Sequence, residues 1–288
     1  MKEHAISFKC GNENLIGILH QPGSDVTTGV LIIVGGPQYR VGSHRQFVLL
    51  ARDLAALNFP VFRFDYRGMG DSEGDLRDFE KIELDIKAAI DAFIETCPKL
   101  TNIIIWGLCD AASAALFYAY TDERVKGLVL LNPWVRTETG EAKAYMKHYY
   151  LSRLTNPDLW RKIISGKFSL TASLVSFLSI FKKVIFGSSK TGGSAKAQSL
   201  FDQNSPLPDR LLIGLTRFQG NVLFILSGDD LTAAEFKDAT KESEDWKKIL
   251  SEDRISTYEL DEANHTFSQK SWRDQVSNWT GQWMLSLK

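Results

Sequence analysis

The stretch WGLCDAA at residues 106–112 decides how the rest of the chain is interpreted. It follows the apolar run III at residues 103–105 and precedes an alanine-rich segment, so it joins a predicted buried strand to a predicted helix. A sharp turn of this kind requires small residues on both sides of its tip, and Gly107 and Ala111 meet that requirement. The side chain of Cys109 would stand at the tip, beside the partial positive charge of a helix N-terminus. We therefore expect Cys109 to be a nucleophile.

The alternative interpretation is that Cys109 is a small core residue, which free cysteines often are. The other two cysteines, Cys10 and Cys97, fall in a hairpin turn and at a helix end, where no chemistry is indicated. Three cysteines form no disulfide framework, and no pair has the spacing of metal ligands. We expect neither a metal ion nor an organic cofactor.

Buried apolar runs alternate with amphipathic segments along most of the chain. Strands are predicted at residues 30–34, 60–64, 103–106, 125–131, 222–226 and 255–260, and helices at residues 46–57, 79–94, 111–120 and 272–287. The first twenty residues alternate polar and apolar side chains around a Gly11-Asn12 turn, which indicates an antiparallel hairpin. The alternation of strands and helices predicts an α/β fold, with a mostly parallel sheet covered by helices on both faces.

The alternation stops between about residues 135 and 217, where helical stretches and polar loops replace the buried strands. An insertion between two strands, near their C-terminal ends, is well placed to cover an active site. We therefore predict a core of residues 1–134 and 218–288 and a helical cap of residues 135–217.

The segment 168–183 within this cap ends in two lysines, and its first fourteen residues carry no charge. It is too short to cross a bilayer, which takes about 20 apolar residues. Three roles are open to it: packing on the core, lining an apolar substrate pocket, and peripheral contact with a membrane surface.

A base and an acid for the cysteine follow later strands. His265 lies in the loop after the strand at residues 255–260, and Asp229 and Asp230 directly follow the strand at residues 222–226. The chain order of nucleophile, acid and histidine is that of folds in which such a turn presents the nucleophile. Asp230 is our candidate for the acid that orients His265, and Asp229 is the alternative. We expect the other aspartate to cap the helix that follows.

A glycine-rich turn after the strand at residues 30–34 supplies candidate hydrogen-bond donors. We expect the backbone N–H groups of Gly36 and Asp110 to hold the negative oxygen that forms when a carbonyl is attacked. Gln38 is the alternative to Gly36, because the intervening Pro37 has no N–H group. An ordinary tight turn would have the same composition.

The turn at residues 64–74, FDYRGMGDSEG, is rich in glycine and charge. It lacks the Gly-Lys-Ser/Thr ending of a phosphate-binding loop. We expect Asp65 and Arg67 to brace this turn through hydrogen bonds.

Several of these motifs together resemble the α/β-hydrolase superfamily, over nearly the whole chain except the cap. They are residues 107–111, 64–72, 227–230 and 264–265. More narrowly, GGPQYRVGSHR at residues 35–45 and SGDDLTA at residues 227–233 look like the exosortase A-associated hydrolase group, type 1. That resemblance implies a link to bacterial exopolysaccharide production and surface protein sorting. Cysteine at position 109 departs from the serine usual in the superfamily, although members similar to dienelactone hydrolase also use cysteine.

Composition limits the classes of partner. The chain has 34 lysines and arginines and 35 aspartates and glutamates, for a formal charge of −1, which gives no support to a nucleic-acid partner. A hydrophobic content of 44% is enough to bury a sizeable core. The N-terminal residues lack the apolar stretch of a secretory signal, and the sparse cysteines fit a reducing compartment. We expect a soluble cytoplasmic protein.

The sequence therefore predicts a hydrolase of ester or thioester bonds that uses Cys109, His265 and Asp230 and forms an acyl-enzyme. Its partner would be a small-molecule or lipid-linked acyl substrate. Two alternatives are an acyltransferase with the same three residues and a non-catalytic binding module of the same fold. No pattern in the sequence specifies the acyl group or an oligomeric state.

Overall fold

The computed structural model describes residues 1–23, 26–36, 38–136 and 205–287. The chain divides into two compact units, of which the first comprises Met1–Val135 and Asp209–Lys288 and the second Arg136–Pro208. Most of the second unit lies outside the described residues, as does the segment 168–183. The boundaries of the cap at residues 135 and 217 therefore stay predictions.

Eight strands of the described chain form one sheet in the order β1-β2-β4-β3-β5-β6-β7-β8. Their bounds are β1 Lys2–Cys10, β2 Glu13–Gln21, β3 Thr28–Ile33, β4 Val61–Asp65, β5 Asn102–Leu108, β6 Val125–Leu131, β7 Asn221–Asp229 and β8 Ile255–Asn264. β2 pairs antiparallel with both β1 and β4, and all other neighbours are parallel. The predicted hairpin and the mostly parallel sheet are confirmed.

Helices connect most of these strands. Their bounds are α1 Gln46–Ala56, α2 Glu83–Thr96, α3 Asp110–Ala119, α4 Leu207–Arg217, α5 Leu231–Glu242, α6 Glu244–Leu250 and α7 Lys270–Ser286. The helix predicted from residue 79 begins instead with a separate 3-10 turn, Phe79–Lys81, which the side chain of Asp78 caps by accepting from the Glu80 amide. None of the helices in the described ranges is both long and apolar enough to cross a membrane.

The central strands are apolar because both faces of the sheet are covered. On one face, Trp106 of β5 packs edge-on against Phe47 of α1, with ring centroids 5.7 Å apart. Val276 and Trp283 of α7 belong to the same buried cluster. Burial of each large side chain stabilises the fold by about 1.5–3 kcal/mol. The strand that leads into Cys109 therefore packs against a buried hydrophobic cluster.

The turn after β4 is braced by two acidic residues with no exposed surface. Asp65 accepts hydrogen bonds from the amide and guanidinium of Arg40 and from the amide of Asp71. Arg67 makes a two-pronged ion pair with Asp85, at 2.9 and 2.8 Å. The predicted bracing roles of Asp65 and Arg67 are confirmed.

Candidate active site

Cys109 stands at a sharp turn between β5 and α3, at the N-terminal cap position of α3. Its backbone has φ 65° and ψ −125°, a strained conformation for a residue with a side chain. Its amide donates to the carbonyl of Leu131 at 2.9 Å, which ties the turn to β6. A Cβ atom on Gly107 would lie 2.7 Å from the Ala111 carbonyl, so the turn requires glycine there. Residues 107–111, called the elbow below, hold Cys109 partly buried at the C-terminal edge of the sheet.

The structure brings His265 together with Asp230 and Cys109. The imidazole Nδ1 lies 2.9 Å from Oδ2 of Asp230. Because a carboxylate only accepts hydrogen bonds, Nδ1 carries the proton in this contact. The Cys109 side chain also interacts with this imidazole and raises the pKa of His265. The residues that directly follow β5, β7 and β8 thus meet at one edge of the sheet.

Electrostatics favour a proton on the imidazole. Burial lowers the pKa of His265, but the hydrogen bonds and charges of Asp230 and Cys109 outweigh burial and raise this pKa to about 10. For Asp230, burial raises the carboxyl pKa, and the bond and charge of His265 together with backbone amides bring the net value below the ordinary one. At neutral pH the site therefore holds an imidazolium between the Asp230 carboxylate and the Cys109 sulfur.

Asp230 also caps α5, since its Oδ2 accepts from the amide of Ala233 at 3.0 Å. Asp229, the last residue of β7, is exposed. We expected the two aspartates to divide the roles of orienting His265 and capping the helix, and that expectation was wrong. Asp230 takes both contacts, because an extended residue just before a helix can direct one carboxylate oxygen toward the helix amides and the neighbouring loop.

One amide expected to hold a negative oxygen, that of Gly36, is already bonded. Gly36 N–H donates to both oxygens of the Asp110 carboxylate, at 2.7 and 2.9 Å, and the amide of Ala111 donates to Oδ1 at 2.9 Å. Burial raises the pKa of Asp110, although hydrogen bonds from the amides of Gly36, Ala111 and Asp110 itself act in the opposite direction. The Asp110 carboxylate thus folds back onto the N-terminus of α3, and the roles of Gly36 and Asp110 as donors to a substrate oxygen stay predictions.

The alternative donor, Gln38, has its side chain engaged with the helical turn before α1. Its Oε1 accepts from the amide of Ser43 at 3.0 Å. That contact fixes the loop that follows Gly36 without using the backbone amide of Gln38.

Asn132, which directly follows β6, is a site-supporting residue that sequence reasoning missed. It has no exposed surface and a left-handed backbone, with φ 43°. Its Nδ2 donates to Ser227 Oγ at 2.8 Å and to the carbonyl of His265 at 3.2 Å, while its Oδ1 accepts from the amide of Ser227 at 2.9 Å. One buried amide thus joins β6, β7 and the loop that carries His265. The available signal was a polar residue at the end of an apolar strand.

A second set of contacts closes the His265 loop on itself. Asn264 Nδ2 donates to Ser268 Oγ at 2.7 Å, and the Ser268 amide donates back to Asn264 Oδ1 at 3.0 Å. Phe267, with φ 49°, is buried beneath the loop. These contacts restrain the loop that carries the imidazole.

No group of three or more His, Cys, Asp or Glu side chains in the described part of the chain is arranged to hold a metal ion.

Comparison with known proteins agrees with this architecture. A family model described as serine aminopeptidase, S33, matches residues 27–165, somewhat less than half of the chain. The model's name specifies serine, whereas position 109 of this chain is cysteine. No curated protein matches the sequence at a significant level.

Solved structures with the same architecture include three esterases and hydrolases of low identity. An esterase from Pyrococcus furiosus has a TM-score of 0.65 and 17% identity, with 99% of this chain and 91% of that chain covered. A dienelactone hydrolase from Anabaena variabilis has a TM-score of 0.61 and 15% identity, with 99% and 97% covered. Est1E from Butyrivibrio proteoclasticus, solved with ferulic acid bound, has a TM-score of 0.61 and 14% identity, with 98% of each chain covered. The chain has the α/β-hydrolase fold.

Proposed function

We propose that this chain is a hydrolase that cleaves ester or thioester bonds through an acyl-enzyme on Cys109. The observation that supports the proposal is the position of one imidazole, on His265, which lies 2.9 Å from the Asp230 carboxylate and interacts with the Cys109 side chain. A nucleophile, a base within hydrogen-bond reach and a third group that orients the base form the arrangement that activates a weak nucleophile.

In the first half of the proposed reaction, the Cys109 sulfur attacks the substrate carbonyl while His265 is held as the imidazolium. The bond to the leaving group breaks, and His265 gives its proton to the departing oxygen or sulfur. The product of this half is a thioester between the acyl group and Cys109.

In the second half, water attacks that thioester while His265 takes a proton from the water. The Cys109 sulfur then leaves, a carboxylic acid is released, and His265 keeps the proton as the resting imidazolium. Asp230 keeps Nδ1 of the imidazole protonated and directed away from the sulfur, and it stabilises the imidazolium.

Each attack places negative charge on the carbonyl oxygen, which requires N–H donors at about 2.7–3.1 Å. We assign this role to the amides of Gly36 and Asp110, with the amide of Gln38 as the alternative to Gly36. In the resting structure the Asp110 carboxylate accepts from the amide of Gly36.

We further propose a small-molecule or lipid-linked acyl substrate and a cytoplasmic setting. Support for an exopolysaccharide or exosortase-associated context comes from the sequence of residues 35–45 and 227–233. Peripheral membrane contact through residues 168–183 is a companion proposal. Liposome flotation with and without that segment tests it, and equal flotation would contradict it.

The decisive experiment incubates the protein with a panel of acyl thioesters and p-nitrophenyl esters and reads the mass of the Cys109 peptide. We expect an acyl adduct on Cys109 and a loss of turnover of at least about a thousandfold in Cys109→Ala. The Cys97→Ala variant is the matched control and should keep both. Undiminished turnover in Cys109→Ala would reject the mechanism.

The same experiment separates the two alternatives. If added amines or alcohols receive the acyl group in preference to water, the chain is an acyltransferase with the same acyl-enzyme. If no substrate leaves an adduct on Cys109 and turnover is absent, the chain is a binding module of this fold.

A further inference from the structure

The carboxylate of Asp110 accepts hydrogen bonds from a backbone amide that we assign to the reacting carbonyl oxygen. Both of its oxygens accept from the amide of Gly36, at 2.7 and 2.9 Å, and Oδ1 also accepts from the amide of Ala111. The amide of Gly36, assigned above to the oxygen of the substrate, is therefore bonded by a side chain next to the nucleophile.

The backbone of Gly35 and Gly36 leaves space for this carboxylate and offers it a hydrogen-bond donor. A Cβ atom on Gly35 would lie 2.3 Å from Asp110 Oδ1, so only glycine leaves room for the carboxylate. Gly36 has a φ of 60°, and in this left-handed conformation its N–H is directed at Asp110. Two consecutive glycines after β3 thus form a binding position for a side chain that lies 74 residues away in sequence.

We propose that Asp110 controls the rate of acyl transfer by competing with the substrate oxygen for the amide of Gly36. This inference rests on the function proposed for Cys109. A carboxylate and a developing oxyanion carry the same sign of charge and need the same N–H group, so they exclude each other. The Asp110 side chain must leave this amide before Gly36 can polarise the carbonyl.

Two variants of Asp110 separate this competition from a simple effect of charge. Asp110→Ala and Asp110→Asn both remove the negative charge beside Cys109 and therefore change the thiol alike. Only Asp110→Ala empties the position, because the amide oxygen of asparagine can still accept from Gly36. The difference between the two variants therefore measures the effect of vacating the amide of Gly36.

Three measurements are made on wild type and both variants: kcat/KM for p-nitrophenyl acetate, Kd for a simple aldehyde, and the rate at which iodoacetamide alkylates Cys109. The aldehyde adds reversibly to the thiol, and its oxygen takes the place of the oxyanion. Alkylation forms no oxyanion and reports the sulfur alone. We expect kcat/KM and aldehyde affinity to be at least about tenfold higher in Asp110→Ala than in Asp110→Asn. The alkylation rates of the two variants should be equal.

The inference is overturned if alkylation is normal and the two variants have equal kcat/KM and aldehyde affinity, or if Asp110→Ala is the slower one. An absence of alkylation at Cys109 in all three proteins would instead overturn the proposed function, and this inference with it. Thermal melting by circular dichroism checks folding. If Asp110→Ala fails to fold, Asp110→Asn is compared with wild type instead. We then expect the gain in aldehyde affinity to be larger than the gain in alkylation rate. A gain in affinity that is equal or smaller overturns the inference.

Discussion

At the scale of single residues, His265 is the side chain that connects the other members of the site. Its imidazole contacts Asp230 on one side and Cys109 on the other, and its backbone carbonyl is bonded by Asn132. The side chain is about one-third exposed, whereas that of Asp230 is almost fully buried. A substrate can therefore reach the imidazole while the carboxylate that orients it stays away from solvent.

Replacing Asp230 should impair turnover more than replacing Asp229. In Asp230→Asn the amide offers a wrong hydrogen-bonding pattern to Nδ1, and we expect kcat/KM to fall by at least about a hundredfold. Asp229 is exposed at the end of β7, so Asp229→Asn should change kcat/KM less than about threefold. Steady-state kinetics on a p-nitrophenyl ester measure both.

The role of Asp230 as the N-terminal cap of α5 needs its own control, because Asp230 also accepts from the amide of Ala233. Asparagine and serine are both good helix caps, so Asp230→Asn and Asp230→Ser should keep the helix cap while losing activity and the stabilisation that the Asp230 carboxylate gives to protonated His265. Asp230→Ala should lose about 1 kcal/mol in addition. Equal mild effects of Asp229→Asn and Asp230→Asn on kcat/KM would remove Asp230 from the mechanism.

At the scale of elements, the site is built from the carboxyl ends of parallel strands. β5 carries Cys109, β7 precedes Asp230, and β8 precedes His265. These strands were predictable because each is a continuous apolar run between polar turns. The elbow was predictable too, since Gly107 and Ala111 are demanded by the close approach of the turn to the first residues of α3.

Contacts between distant segments could not be predicted in the same way. Asp229 and Asp230 are adjacent and chemically identical, and only the last residues of β7 decide which one faces His265. The bond between Gly36 and Asp110 joins residues 74 positions apart, and no periodicity in the sequence encodes it. For Asn132, a short polar side chain after an apolar strand is equally compatible with a turn.

Asn132 should be a determinant of stability at the junction of β6, β7 and the His265 loop. Asn132→Gly tolerates the left-handed backbone but removes the side chain that satisfies Ser227 and the carbonyl of His265. We expect a loss of about 2–4 kcal/mol in the free energy of unfolding, measured by urea titration. Ser227→Ala, which keeps the backbone bond to Asn132, should lose only about 1 kcal/mol. Equal stability of the two variants would contradict this role.

At the scale of the whole molecule, the sheet and its helices have the α/β-hydrolase fold, whereas most residues of the predicted cap lie outside the described ranges. The fold was readable from the sequence because strand and helix periods alternate in the first 134 residues. Substrate choice was not, because the residues that would line a pocket in the cap follow no regular pattern.

The stability of the whole fold should depend on pH through His265. Folding raises the pKa of this imidazole from 6.5 to about 10, so the folded state favours the protonated form. The resulting stabilisation is complete below about pH 6.5 and is lost as pH rises through about 10. Urea titrations of wild type and His265→Gln between pH 6 and 10 measure it. We expect the difference in unfolding free energy to shrink with rising pH, and a constant or growing difference would contradict the assignment.

The most direct test of the account is the rate at which each cysteine reacts with iodoacetamide at neutral pH, followed peptide by peptide in a mass spectrometer. Cys109 lies partly buried beside an imidazolium and a helix N-terminus, Cys10 is buried, and Cys97 is half-buried on another part of the surface. We predict that Cys109 reacts at least about tenfold faster than Cys97, and that His265→Gln removes this advantage. Equal rates for Cys109 and Cys97, or a Cys109 rate unchanged in His265→Gln, would contradict the central claim that His265 activates Cys109.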